Sequence, residues 1–107
     1  MLRMKRKQEF QTCAEQLKAV ADPDRLRIVD CLLDGELNVG EIAERLKIEM
    51  VNVSHHLKVL RYARIVQSTK RGRFVVYSLH PNVFVAPTGP EDTPQIEFGC
   101  CRISLHS

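Results

Sequence analysis

Three features of this 107-residue sequence predict a mainly α-helical fold with one small β-hairpin, organised around a helix-turn-helix. Val53, Leu57 and Leu60 recur at helical spacing, while Ser54, His55, Lys58 and Arg61 fall largely on the other side. Ahead of that helix, Asn38 and Glu41 form a capping-box pattern before Ile42, Ala43 and Leu46, and Lys47-Ile48-Glu49 leaves room for the short turn between them. Downstream, two β-branched and aromatic runs flank the basic stretch Lys70-Arg71-Gly72-Arg73.

Taken in order, the chain opens on a polar arm. A first helix is expected from about Lys7 to Ala21, with Phe10, Cys13, Ala14, Leu17 and Ala21 close to one face and Val20 adjacent. Asp22-Pro23 starts a second helix, the Asp as N-cap and the Pro at the first helical position. That helix should bury Leu26, Val29, Leu32 and Leu33. It should stop at Asp34-Gly35, where Gly can take the left-handed conformation a helix end often needs. The helix-turn-helix spans Asn38 to Val66, with Glu49 a poor N-cap for its second helix because Ser or Thr would serve better. Strands are expected at Ile65–Thr69 and Phe74–Leu79, joined by a four-residue basic connection containing Gly72.

Beyond His80-Pro81 the character changes. Pro87, Gly89, Pro90 and Pro94 crowd a short segment, so a helix there can be little more than one turn. Gln95 to Leu105 alternates enough for a strand, yet the prolines before it and Gly99 within it suit an extended tail as well. The expected division is residues 1–84 as a helix-turn-helix domain and residues 85–107 as a Pro/Gly-rich tail carrying the vicinal pair Cys100-Cys101.

Composition bounds the function. The chain is long enough for one modest core, and its 44% hydrophobic and 27% charged content is that of a globular domain. The net charge of +3 matters less than its distribution, clustered at Arg3, Lys5, Arg6 and Lys7 and again at Lys70, Arg71 and Arg73. No run of about 18 apolar residues occurs, and no signal-peptide core follows the basic start, so a cytoplasmic protein without a membrane partner is expected. There the four cysteines should be reduced thiols. No nucleophile with a base, carboxylate pair or phosphate-cradling Gly loop argues for an enzyme.

The order helix, helix, helix-turn-helix, basic hairpin resembles a winged helix-turn-helix of the ArsR/SmtB family of metal- and stress-responsive repressors. The resemblance rests on Ala21-Asp22-Pro23, Arg25-Leu26-Arg27-Ile28, Glu41-Ile42-Ala43, the run Val53-Ser54-His55-His56-Leu57-Lys58-Val59-Leu60, and Arg71-Gly72-Arg73 with Val76-Tyr77-Ser78-Leu79. It covers residues 10–82. It implies a homodimeric, cytoplasmic repressor on an inverted-repeat double-stranded DNA operator, released when a ligand or oxidant reaches a sensor site. Two positions depart from the pattern: Met50 and Val51 stand where relatives carry polar residues, and Arg64 replaces the usual Gly after Ala63, which predicts a left-handed Arg64.

A helix fits the major groove, where base edges distinguish all four pairs, so Asn52, Ser54 and His55 are the candidate sequence readers. Met50 and Val51 either touch thymine methyl groups or leave sequence reading weaker than in relatives. Lys58 and Arg61, with Lys70, Arg71 and Arg73 of the hairpin, suit phosphate, one Arg being able to reach the minor groove. His55 and His56 point about 100 degrees apart on a helix and cannot easily clamp one ion; His55 is read as facing DNA and His56 as packing.

The resemblance also implies where sensing should not occur. The family's arsenic and cadmium site would use positions held here by Asn38 and Gly40, and its other common site needs a final helix that Pro87 cuts short. Cys100 and Cys101 remain, with Cys13 able to complete a three-sulfur site for a thiophilic metalloid such as arsenite, or to join the pair by oxidation. No cofactor is required. Against this, Cys13 and Cys31 on apolar faces suit a plain core role, and a constitutive DNA-binding or protein-docking winged helix without a sensor stands as the alternative.

Overall fold

The computed structural model describes the backbone of residues 2–105 and side chains from residue 7 onward, so the basic side chains of Arg3, Lys5 and Arg6 lie outside the described residues. Helix α1 runs Leu2–Val20, starting five residues before the expected Lys7, so the polar arm is helical from Leu2. Its buried face differs from the expected one. Cys13, Gln16, Ala19 and Val20 turn inward, whereas Phe10 is 52% and Leu17 38% exposed and Ala14 and Ala21 are exposed too. Periodicity revealed an apolar stripe but could not say whether this chain's own core or another surface covers it.

Helix α2 (Pro23–Leu32) begins as its sequence dictates: the Asp22 carboxylate accepts the Arg25 N–H at 3.0 Å and Pro23 occupies the first turn. It buries Ile28, Val29 and Leu32, while Leu26, expected inside, is 37% exposed. Gly35 closes the connection at φ 144°, a positive-φ conformation outside the left-handed helical well. A two-residue strand β1 (Leu37–Asn38) follows, too short to register as a sequence pattern.

Asn38 ends β1 and caps α3 (Val39–Leu46): its side chain accepts the Glu41 N–H at 2.8 Å and Glu41 returns a carboxylate to the Asn38 N–H at 2.9 Å. Ile42 and Ala43 are buried and Leu46 half-buried. Lys47 reverses the chain with φ 57° and α4 runs Met50–Tyr62, its N-cap Glu49 making no side-chain capping bond, as expected. Val53, Leu57 and Leu60 are fully buried, which fixes α4 rotationally on the core.

Arg64 takes the predicted left-handed conformation at φ 61° and sends the chain through buried Ile65 into β2 (Val66–Arg71) and β3 (Phe74–Leu79). Pairing extends to Arg71↔Phe74, so the connection is the two-residue Gly72-Arg73 and not the expected four, with Lys70 and Arg71 on the strand. Gly72 at φ 62° opens that turn in the manner of a type II′ hairpin. β1 pairs with β3 (Leu37↔Tyr77, Asn38↔Val76), which ties the hairpin to the start of α3.

The proline-rich segment forms no helix. Three short strands, β4 (Phe84–Val85), β5 (Gln95–Glu97) and β6 (Arg102–Ser104), make a second antiparallel sheet, so Gln95 to Leu105 is a hairpin in place of a single strand or a loose tail. Gly99, at φ 87°, turns the chain where it would have weakened a ladder. Glu97 and Arg102 pair across the strands at 2.7 Å, and Phe98 N–H donates to the Cys101 carbonyl at 2.9 Å, leaving Gly99 and Cys100 at the tip. Ile96 and Phe98 enter the same core as the helices.

Candidate nucleic-acid interface and thiol cluster

Burying Val53, Leu57 and Leu60 forces the opposite face of α4 outward. Asn52, Ser54, His55, Lys58 and Arg61 are all exposed, and Met50 and Val51 at the first turn are 57% and 69% exposed. No side-chain hydrogen bond caps the α4 N-terminus, where Glu49 is the N-cap residue. Tyr62, 93% exposed and one turn beyond Lys58, joins this face; sequence reasoning missed it, although its spacing from His55 and Lys58 was the available signal.

On the hairpin, Lys70, Arg71 and Arg73 are exposed beside Phe74 and Val75, two apolar side chains left outside the core at 61% and 44% exposure. Arg71 is engaged within the chain. Its Nε and a terminal nitrogen each lie 3.3 Å from an oxygen of Glu36, in the loop before β1.

His56 packs, as its sequence position predicted. Half-buried, it sets Nδ1 3.3 Å from the Arg25 guanidinium and Nε2 3.9 Å from Asp24. Asp22, Asp24 and His56 gather their ligand-type atoms within 4.8 Å. Arg25 already balances that group, and the Arg25 backbone N–H, ahead of the Arg25 and His56 charges, holds the Asp22 carboxyl below its usual pKa. Arg25 also donates to the Ala19 carbonyl at the end of α1, and Arg27 to the Leu46 carbonyl at the end of α3 at 2.8 Å. The Arg-Leu-Arg run at the start of α2 therefore closes two other helices.

Cys13 gathers with Cys100 and Cys101 as the sequence suggested, but the cysteines depart from the expected reduced state. Cys13 and Cys100 form a disulfide across 87 residues, and the Cys101 sulfur lies 3.6 Å from that of Cys13. All three sulfurs fall within 4.8 Å of one another, with Cys13 fully buried, Cys101 half-buried and Cys100 exposed. Reduced thiols were expected from the presumed compartment. The physical reason for the difference is the second sheet, which folds the hairpin tip onto α1 and brings Cys100 to Cys13. Cys31 stays apart as a free thiol on α2. One turn beyond Cys13, the buried Gln16 donates from Nε2 to the Ala63 carbonyl at the end of α4, at 3.1 Å.

A core-anchored helix with a polar outer face, followed by a basic two-stranded wing, defines a winged helix-turn-helix DNA-binding transcription regulator. The sequence profile described as "Bacterial regulatory protein, arsR family" matches residues 22–68. The transcriptional repressor SdpR of Bacillus subtilis is 39% identical over 66 residues, covering 62% of this chain and 73% of that protein. The chain belongs to the arsR family, and is a regulator rather than an enzyme. A transcriptional repressor SmtB homolog from Synechocystis is 43% identical over 74 residues, but those span only 56% of its length and 69% of this chain. Among solved structures, the homodimeric winged helix-turn-helix DNA-binding domain Mb0332 from Mycobacterium bovis, described as a possible ArsR-family regulator, superposes with a TM-score of 0.65 at 27% identity, covering 70% of this chain and 69% of that one. No helix among the described residues is long and apolar enough to cross a membrane.

Proposed function

We propose that this protein is a cytoplasmic, homodimeric repressor of an inverted-repeat operator, in which residues 1–84 bind DNA and residues 85–107 carry the sensor. Asn52, Ser54 and His55 read base edges, Met50 and Val51 meet thymine methyl groups, and Lys58, Arg61, Lys70, Arg71 and Arg73 hold phosphates. Dimerisation uses the outer face of α1, where the apolar Phe10, Ala14 and Leu17 are exposed beside the buried Cys13 and Gln16. A homodimeric neighbour of the same fold supports a dimer, and the choice of α1 rests on its exposed apolar residues.

The observation that carries the sensor reading is the convergence of Cys13, Cys100 and Cys101. Reduced, the three thiolates offer a soft trigonal site to a metalloid such as arsenite; oxidised, two of them join. Either event acts on α1, which carries Cys13 and, through Gln16, holds the end of the recognition helix. The recognition helices of a dimer must sit about 34 Å apart, one turn of DNA, so a small shift of α1 releases the operator.

The test selects an operator from a random-sequence pool and follows its release from the reduced protein by arsenite, cadmium, zinc and peroxide. Arsenite or peroxide should release the parent and fail with Cys13→Ser or the double Cys100→Ser, Cys101→Ser variant. Release that survives in both variants refutes the sensor assignment. A second reading has one observation in its favour: the disulfide links the second sheet to α1 and would serve equally as a structural staple in a constitutive DNA binder. In that case no compound in the panel changes operator affinity.

A further inference from the structure

The sulfur geometry points to Cys100 as an attachment site for a low-molecular-weight thiol, exposed by exchange of the Cys13–Cys100 disulfide onto Cys101. We infer this from three facts taken together: Cys13 is bonded to Cys100, its sulfur is simultaneously 3.6 Å from Cys101, and the three cysteines are graded in exposure from buried Cys13 through Cys101 to the exposed tip residue Cys100. A disulfide that needed only to be a staple requires no third sulfur in contact with it.

The exchange is balanced within the chain. The Cys101 thiolate attacks the Cys13 sulfur, a Cys13–Cys101 bond forms, the Cys13–Cys100 bond breaks, and its electron pair leaves on Cys100. The proton lost by Cys101 passes to solvent, where it later meets the released small thiolate, and no external oxidant is consumed. Cys100 then stands as a solvent-facing thiolate beside Gly99. A disulfide of a small thiol, R–S–S–R, reacts with it to give Cys100–S–S–R and a released thiolate R–S⁻. The internal disulfide survives that step because it now lies between Cys13 and Cys101. A groove of about 440 Å³ between α1 and the hairpin, lined by Gln8, Glu9, Thr12, Phe98 and Gly99, opens next to the tip and leaves room for the adduct.

This deepens the sensor reading by assigning separate tasks to the sulfurs: Cys13 is the shared buried partner, Cys101 the internal acceptor and Cys100 the port to solvent. It is tested without DNA, so its failure is distinguishable from failure of the repressor reading. The oxidised full-length protein is incubated with glutathione disulfide, quenched in acid, alkylated, digested and sequenced by tandem mass spectrometry, alongside Cys101→Ser and Cys100→Ser. The expected result is glutathione on Cys100 in the parent, none on Cys100 in oxidised Cys101→Ser, and a Cys13–Cys101 disulfide in oxidised Cys100→Ser. A parallel sample without glutathione disulfide should carry the alkyl label on Cys100 and on Cys101 in different molecules. Glutathione confined to Cys101, alkyl label confined to Cys101, or equal modification of Cys100 in the parent and in Cys101→Ser would overturn the assignment.

Discussion

Arg71 cannot serve a phosphate and Glu36 fully at once, and this competition yields a quantitative prediction. The pair is fork-shaped, both contacts being 3.3 Å, but its side chains are 61% and 43% exposed, so it is a solvent-screened bridge. Such pairs contribute about 0.2–1 kcal/mol. Operator binding must give up that amount in each subunit, so Glu36→Gln should tighten binding about 1.4–5-fold per subunit, at about 1.4 kcal/mol for each factor of ten. Removing a negative charge from beside the wing works in the same direction. Arg71→Ala should instead weaken binding and reduce the slope of log K against log salt by about 0.9 per subunit, one phosphate contact each. Glu36→Gln should leave that slope alone, because the same phosphates are still met. Fluorescence anisotropy of a mixed-sequence duplex across a salt series measures both quantities, and the double variant closes the cycle: without Arg71, the gain from Glu36→Gln should shrink to the charge effect alone. If Glu36→Gln binds no tighter while Arg71→Ala leaves the salt slope unchanged, Arg71 does not reach DNA and the wing's role is wrong as argued.

Four further outcomes are expected. Closing a loop of 87 residues should make the oxidised protein more stable than the reduced one by up to about 4–5 kcal/mol in urea melts, a difference absent in Cys13→Ser. Arg64→Gly should raise the urea midpoint by about 0.5–1 kcal/mol equivalent, since a left-handed non-glycine costs about 1–2 kcal/mol and the more flexible unfolded chain returns part of the gain. The Asp22 carboxyl is held below its ordinary pKa by the Arg25 N–H, so its stabilisation is complete above the unfolded value, near 3.8, and is lost as pH falls through the lower folded one; acid unfolding followed by circular dichroism should be less pH-dependent in that window for Asp22→Asn. Gln16→Leu should leave operator binding by the reduced protein in place but diminish the release caused by thiol modification, measured as the ratio of the two dissociation constants.

How much was legible in the sequence depended on whether the determinant was local. The Asn38–Glu41 capping box, the Asp22-Pro23 start, the missing cap at Glu49 and the left-handed Arg64 are decided within a few residues, and all are as read. So is the inward face of α4, because three apolar side chains at helical spacing leave one way to bury it. What failed was non-local. Of the expected α1 stripe only Cys13 is buried, while Phe10, Ala14, Leu17 and Ala21 face outward, since the inward face is set by partners far along the chain, Cys100 for Cys13 and Ala63 for Gln16. Strand β1 exists only because β3 pairs with it, and two residues carry no periodicity of their own. In the last segment, Gly99 was weighed as a flaw in one strand, when a positive φ at that position is what makes two strands and brings the thiols to α1.

Gln16 links the helix that carries the thiol cluster to the end of the recognition helix. A buried amide in a helix that otherwise turns small apolar residues inward is costly unless its hydrogen bond is made, and here Nε2 is spent on the carbonyl of Ala63, the C-cap of the recognition helix. Ala63 directly precedes Arg64, whose left-handed backbone sets the exit of α4 into the wing. Cys13 lies one turn earlier on the same face of α1, bonded to the hairpin tip. Chemistry at Cys100 is thus joined to the hinge between recognition helix and wing by one disulfide, one helical turn and one hydrogen bond, all within rigid, packed structure. A packed core does not deform continuously, so a shift of α1 that follows a change at the sulfurs must either carry the end of α4 with it or break the Gln16 bond and leave the buried Gln16 amide unpaired, at about 1–3 kcal/mol. The first alternative keeps the Gln16 bond intact, which is the physical ground for expecting thiol chemistry to be felt at DNA.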